Sequence, residues 1–266
     1  NPGVAGPGIV VFGAQGPPAA VGEPGSCRSD PMSEVDKSKL ESYGRSEHYL
    51  GEAGERYFAG QKTGGQLSVQ WNLPFWLPHL KPAGSVLDFG CGGGYLLAGL
   101  PVGSKTGVEI NPAARQEVQR QGIDVYPSLE DIPGGRAFDC ILSSHALEHV
   151  PSPLLALKAM RPLLRPDGKL LLLLPLDDWR ARHHHRYHPN DIHFHLYAWT
   201  PQNLGNLLVE AGFVPQEVRV ITDAMPPLPI ARRMLPFPWL RKATGWLAGA
   251  ALNRRQLWAS AVKQEA

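Results

Sequence analysis

The most constraining stretch of this 266-residue chain is residues 86–95, VLDFGCGGGY. Its start reads as a buried β-strand that carries Asp88 to its carboxyl end. The chain then turns through Gly90, Cys91, Gly92 and Gly94 into a segment of helical pattern from Tyr95. Glycines permit so tight a turn and let a ligand lie directly on backbone N–H groups at a helix N-terminus. Nineteen residues past Gly90, at the tip of the next strand-like run, stands Glu109, followed by Ile110. An acid at that place can accept both hydroxyls of a ribose, the geometric logic of nucleotide-binding α/β folds.

Two details set this pattern apart from a pyridine-dinucleotide site. The fingerprint GxGxxG needs a third glycine where Tyr95 or Leu97 stands, and the chain holds no Tyr-x-x-x-Lys pair. A pyrophosphate also repels acids, whereas Asp88 beside the loop suits a cofactor bearing cationic sulfonium and ammonium groups.

The rest of the chain supports an open, doubly wound sheet. Strand-like runs at Ser85–Phe89, 106–110, Phe138–Ser144 and 169–174 alternate with helical segments at 95–100, 112–122 and 153–164. The aliphatic run 169–174 has the character of a central strand covered on both faces. Thr200 and Pro201 open a further helix, and 213–222 and 256–262 read as two last strands. Ahead of this alternation, residues 32–82 read as an N-terminal helical cap rich in aromatics, with Pro74 and Pro78 predicted to break its second helix. Residues 1–31, crowded with Gly and Pro and uncharged before Glu23, are expected to be a disordered extension, with ordinary composition beginning at Met32.

At this point the residues resemble class I S-adenosylmethionine-dependent methyltransferases. DxGxGxG at 88–94, Glu109, the segment DCILSSHALEHV at 139–150 and LLRPDGKLLLLLP at 163–175 are similar to motifs of the type-11/type-23 group, over roughly residues 83–215. The resemblance implies a Rossmann-like α/β fold, a doubly wound, seven-stranded, mostly parallel sheet with an antiparallel last strand. It also implies S-adenosyl-L-methionine as cofactor, lined by Asp88, Gly90, Cys91, Gly92, Gly94, Glu109 and Ile110. Ser143 and His145 would lie near its methionine end and Ser128, Leu129 or Glu130 beside the adenine. The methyltransferase domain would then span 83–266, with 224–255 inserted between the last two strands.

Methyl transfer mainly requires alignment of acceptor, methyl and sulfur, with a base needed only where the acceptor holds its proton. Residues placed to serve follow the strand at 138–144 (His145, Glu148, His149) and the strand at 169–174 (Asp177, Asp178). The bland alternative is that they cap or pack their own turns. Residues 180–199 hold six of the ten histidines with Asp191, yet in no standard zinc spacing, so no metal is expected. From 224 through 264 there is no acid, while Arg232, Arg233, Arg241, Lys242, Arg254, Arg255 and Lys263 are basic. That segment reads as a lid, as a patch for an anionic membrane surface or phosphorylated substrate, or as an amphipathic helix with its basic face in water. No stacking motif accompanies the charge, which disfavours nucleic acid.

The acceptor is thus expected to be a small molecule, glycan or lipid; the alternative is a cofactor-binding regulatory module without catalysis. Net charge of only +2, three cysteines without CxxC spacing, and no apolar run near membrane-spanning length lead to the expectation of a cytoplasmic protein.

Overall fold

A computed structural model describes residues 43–176, 187, 189, 191, 193–226, 229–230 and 236–264, all within one compact unit, Lys37–Ala266. The expectations for 1–31, for Asp177 and Asp178, and for His183, His184, His185 and His188 lie outside the described residues.

The strands are β1 (Ser85–Phe89), β2 (Ser104–Val108), β3 (Asp124–Tyr126), β4 (Phe138–Ser144), β5 (Leu164–Pro175), β6 (Phe213–Ile221) and β7 (Gln256–Lys263). They form one seven-stranded sheet in the order β3-β2-β1-β4-β5-β7-β6. The pairs from β3 through β5 are parallel, and β7 runs antiparallel between β5 and β6. This is the Rossmann-like methyltransferase fold that the sequence implied. β3 was not legible beforehand: three residues, led by an acid, carry no pattern.

The α-helices with both ends among the described residues are α1 (Gly51–Trp76), α2 (Tyr95–Gly99), α3 (Pro112–Arg120), α4 (Pro153–Met160), α5 (Pro201–Glu210) and α6 (Pro238–Ala251). Side-chain alternation along β5 builds both layers. Leu170, Leu172 and Leu174 enter a core with Leu157, Leu204 and Leu208 of α4 and α5. Leu171 and Leu173 face the other way, onto Trp76, Leu97 and Val118 of α1, α2 and α3. Burying a leucine fully is worth about 1.5–3 kcal/mol, so this strand is a principal source of stability.

The helical cap departs from expectation in one respect. Pro74 does not break a helix; it lies inside the 26-residue α1, which ends in a short 3-10 turn at Leu77–His79. A proline so near the C-terminus deletes one intrahelical bond, and the fully buried Trp71 and Trp76 on either side hold the last turn in place. Among the described residues no helix is long and apolar enough to cross a membrane.

β2 lies on one side of β1 and β4 on the other, so the chain reverses direction of travel between β1 and β4. The loops leaving their carboxyl ends part there and open a crevice, the usual ligand site of an open α/β sheet.

Candidate active site

The crevice contains a cavity of about 480 Å³. Its floor is the turn after β1. Gly90, Gly92 and Gly94 all have positive φ (76°, 53° and 75°), and Gly90 abuts Ala146 so closely that a side chain there would collide with it. Gly92 has open space where a side chain would go, so its backbone faces the cavity bare.

Two carboxylates look into this floor. Asp88 is 2% exposed, and its Oδ1 has no hydrogen-bond partner. Burial, and then the charge of Glu109, push its carboxyl well above the ordinary carboxylate range. Glu109 Oε2 accepts from the Gly92 amide and Oε1 from the Asn111 amide, both at 2.8 Å. Burial raises Glu109 too, against the lowering effect of those amides. The next helix holds this corner rigid. Asn111 caps α3 by accepting from Ala113 and Ala114, and its amide reaches across to the Gly54 carbonyl of α1 at 2.7 Å. The Tyr95 hydroxyl, also on the cavity wall, is buried without a partner as well.

Buried acceptors without donors are costly, and a pocket that collects them is built for what it will bind. A ribose diol suits Glu109, and a cationic amino acid or sulfonium group suits the acid-lined floor. S-Adenosylmethionine carries all three, so the residues present fit it.

The far wall of the cavity comes from the turn after β4. His145 sits in the left-handed region at φ 52°, a strained conformation for a side-chain-bearing residue, and its Nε2 lies 2.9 Å from Gln256 Oε1. Glu148 is fully buried, and neither carboxylate oxygen has a hydrogen-bond partner. Its Oε1 lies 3.6 Å from His145 Nδ1 and 3.8 Å from His149 Nε2, too far for hydrogen bonds and ionic only while the imidazole concerned is protonated. Burial alone would raise Glu148, but the two imidazoles outweigh it and hold the carboxyl below its usual value. The same carboxylate overcomes the effect of burial on His145 and raises it. His149 goes the other way: burial dominates and depresses it.

Tyr49, in a 3-10 turn ahead of α1, completes the group. Its hydroxyl donates to the His193 carbonyl at 2.7 Å and lies 2.7 Å from His149 Nδ1. A phenol has one proton, so with that proton on the carbonyl its oxygen accepts from His149 Nδ1–H. In a neutral ring Nε2 is then the unprotonated nitrogen, beside Glu148.

Of the residues singled out from sequence, Asp88, Gly90, Cys91, Gly92, Glu109, Ile110, His145 and His149 all line this one cavity. Gly94 instead packs against Val118 as the N-cap of α2. Ser143 is fully buried and donates to the Phe89 carbonyl at 2.9 Å, tying β4 to β1, while its neighbour Ser144 reaches the cavity. Leu129 is buried in the core, its amide donating to the Tyr43 hydroxyl. Sequence reasoning missed the wall given by α1 and its preceding turn, with Tyr49, Tyr57, Asn72 and Trp76, and also Met225. The run of aromatics before residue 80 was visible, but nothing in its spacing told which face meets the crevice.

A doubly wound sheet with a glycine turn and paired acids at its switch point defines a nucleoside-binding α/β protein. Residues 66–218 match the type-23 family model described as a methyltransferase domain, and the chain belongs to that family. It is similar to the ubiquinone biosynthesis O-methyltransferase of Xanthomonas axonopodis pv. citri (strain 306), 38% identical over 106 residues, 35% of this chain and 44% of that one. A tRNA U34 carboxymethyltransferase of Aeromonas hydrophila is 29% identical over 164 residues, 53% of this chain and 50% of that one. The chain thus spans about half the length of these two relatives. In fold it is like the Burkholderia thailandensis 1,6-didemethyltoxoflavin-N1-methyltransferase solved with its substrate and S-adenosylhomocysteine: TM-score 0.53 at 20% identity, over 89% of this chain and 93% of that one.

Proposed function

We propose that this chain is an S-adenosylmethionine-dependent methyltransferase whose acceptor is a hydroxyl-bearing small molecule, glycan or lipid headgroup. One observation carries the cofactor reading: the buried, unpartnered Asp88 Oδ1 beside Glu109 and the bare backbone of Gly92. Asp88 would hold the cationic end of the cofactor, Glu109 its ribose, and Gly90 and Gly92 its nearest backbone. When bound, S-adenosylmethionine supplies a methyl group already activated by its sulfonium.

What the chain itself must do is orient the acceptor and take its proton. Support for a hydroxyl acceptor comes from the histidines on the opposite wall, because an alcohol or phenol needs a base where an amine does not. His149 Nε2 would accept that proton, Tyr49 holding its Nδ1–H and the Glu148 carboxylate stabilising the imidazolium. His145, protonated more readily, would keep Glu148 ionised between turnovers. The α1 wall would shut water out of the reacting face. The O-methyltransferase among the relatives agrees with this acceptor class, and the tRNA-acting relative makes a nucleic acid the competing arm of any acceptor screen.

Calorimetric titration with S-adenosylmethionine, S-adenosylhomocysteine and NAD tests the cofactor. Binding of the first two, weakened about tenfold or more in Asp88→Ala and Glu109→Ala, is the expected result, since charge-assisted hydrogen bonds are worth about 1.5–3 kcal/mol. Binding of NAD alone would remove the reading. A screen of phenols, sugars, lipids and tRNA with labelled methyl donor then decides the acceptor.

A further inference from the structure

Helix α6 presents its polarity inside out. The residues it buries are glycines: Gly245 lies against the Asp223 carboxylate and Gly249 against the Asp223 backbone. The Gly245 carbonyl accepts from the Ala224 amide at 3.1 Å, so the inner face is seated and complete. Three of its large apolar side chains point outward: Trp239 is 70% exposed, Trp246 57% and Leu247 59%, with Leu240 partly buried. Trp239, Ala243, Trp246 and Ala250 fall at i, i+4, i+7 and i+11, which places them on one face. Phe237 and Leu252, which flank the helix, are also about half exposed.

Contiguous apolar surface of this kind marks an interaction site, and its charge says with what. No acid occurs from residue 224 through 264, while exposed Lys242 lies on the helix and Arg255 just beyond it. A second copy of the chain would bring the same basic surface against itself, and the like charges would repel. An anionic lipid surface offers the complement to both features: headgroup charge for the cations, and an interfacial layer in which tryptophan is the favoured aromatic. A helix of 14 residues is too short to cross a bilayer but long enough to lie in its surface plane.

We propose that the outward face of α6, led by Trp239 and Trp246, docks the protein on an anionic membrane surface. The seat of this helix also touches the cavity wall. Asp223 accepts from Trp71 Nε1 of α1 at 2.7 Å, and Met225, two residues further on, lines the cavity. Docking would therefore bring the cavity to the membrane. Vesicle binding is read without cofactor or turnover, so it stands or falls apart from the methyl-transfer proposal.

The test is flotation of the full chain with phosphatidylcholine vesicles and with vesicles also containing phosphatidylglycerol. Co-flotation only with the anionic vesicles, with a blue shift of tryptophan emission, is the expected result. Changing Trp239→Ser together with Trp246→Ser should cut the bound fraction about tenfold, and Lys242→Glu with Arg255→Glu should also reduce it. Both double variants should keep the parent's circular dichroism, since all four side chains are exposed. No flotation with anionic vesicles, or equal flotation of parent and tryptophan variant, would overturn the proposal. So would a dimer in solution that the tryptophan variant makes monomeric, since the face would then belong to a second copy.

Discussion

Tyr49 lies a hundred residues from His149, yet one hydrogen bond between them sets what the histidine can do. With the phenol proton committed to the His193 carbonyl, the imidazole is held as the Nδ1–H tautomer. Burial depresses His149, so its neutral form prevails near neutral pH and is lost only on acidification. The sign for stability follows. A histidine depressed in the folded state contributes stability in full above the ordinary value of 6.5, and that contribution fades as pH falls toward the folded value. Tyr49→Phe removes the acceptor of Nδ1–H, which the imidazolium needs more than the neutral ring does. We expect His149 to titrate still lower and its tautomer ratio to shift, both readable from imidazole nitrogen and proton resonances across a pH series. An unchanged titration would show that the phenol merely fills space. Gly92→Ala is a second residue-scale case. With φ at 53° the alanine costs roughly 1–2 kcal/mol of strain. The open space beside it means no clash adds to that figure in the free protein. Denaturant titration should return that modest loss, while cofactor affinity should fall much further because the methyl occupies the ligand's side.

Between elements, the join of α1 to α6 has the most at stake for the site. Trp71 donates to Asp223 across 152 positions of sequence, and the Arg241 guanidinium both donates to the Trp71 carbonyl at 2.9 Å and lies over its ring. Burial raises the Asp223 carboxyl, so its indole partner matters. Trp71→Phe keeps most of the volume but strips the buried carboxylate of its donor, which costs about 1–3 kcal/mol. Urea unfolding should show that loss, and cofactor affinity should drop with it if α1 must be pinned to close the cavity. A loss below about half a kcal/mol would make the contact incidental. None of this could be read from the chain alone. Strands with a strong pattern, such as the leucine run of β5 or the VLDF of β1, announce themselves because burial dictates each residue. The acids of the site were legible for a related reason: Asp88 and Glu109 stand at fixed steps from a glycine turn that only one local geometry explains. Helix α1 has no comparable pattern, because its apolar residues meet α2, α6 and the cavity on different sides. Long-range pairs such as Trp71 with Asp223, or Tyr49 with His149, leave no periodic trace at all.

For the molecule as a whole, the site and the stability of the fold pull in opposite directions at Asp88. A carboxyl raised by burial is a charge the folded state tolerates poorly. The folded protein therefore holds its proton over a range where the unfolded chain has lost it, and stability falls as pH climbs from the ordinary aspartate value through the raised one. That penalty grows with pH until the raised value is passed, with no partner for Oδ1 to offset it. Asp88→Asn removes the charge with little change of shape, so the ligand-free variant should melt higher than the parent at pH 7. In a domain of this size, each kcal/mol gained raises Tm by about 2–4 °C. At pH 4 the difference should shrink, because the parent's carboxyl is then protonated too. Ligand should reverse the order. Saturating S-adenosylhomocysteine at about a hundredfold above Kd adds about 2.7 kcal/mol to a protein that binds it. The parent should gain that increment and the variant little of it, so the two melting temperatures cross as ligand is added. Scanning calorimetry at two pH values, with and without ligand, measures all four corners. If the ligand-free variant melts lower than the parent at neutral pH, Asp88 is satisfied by some contact within the fold, and its place in the cofactor site loses its physical ground.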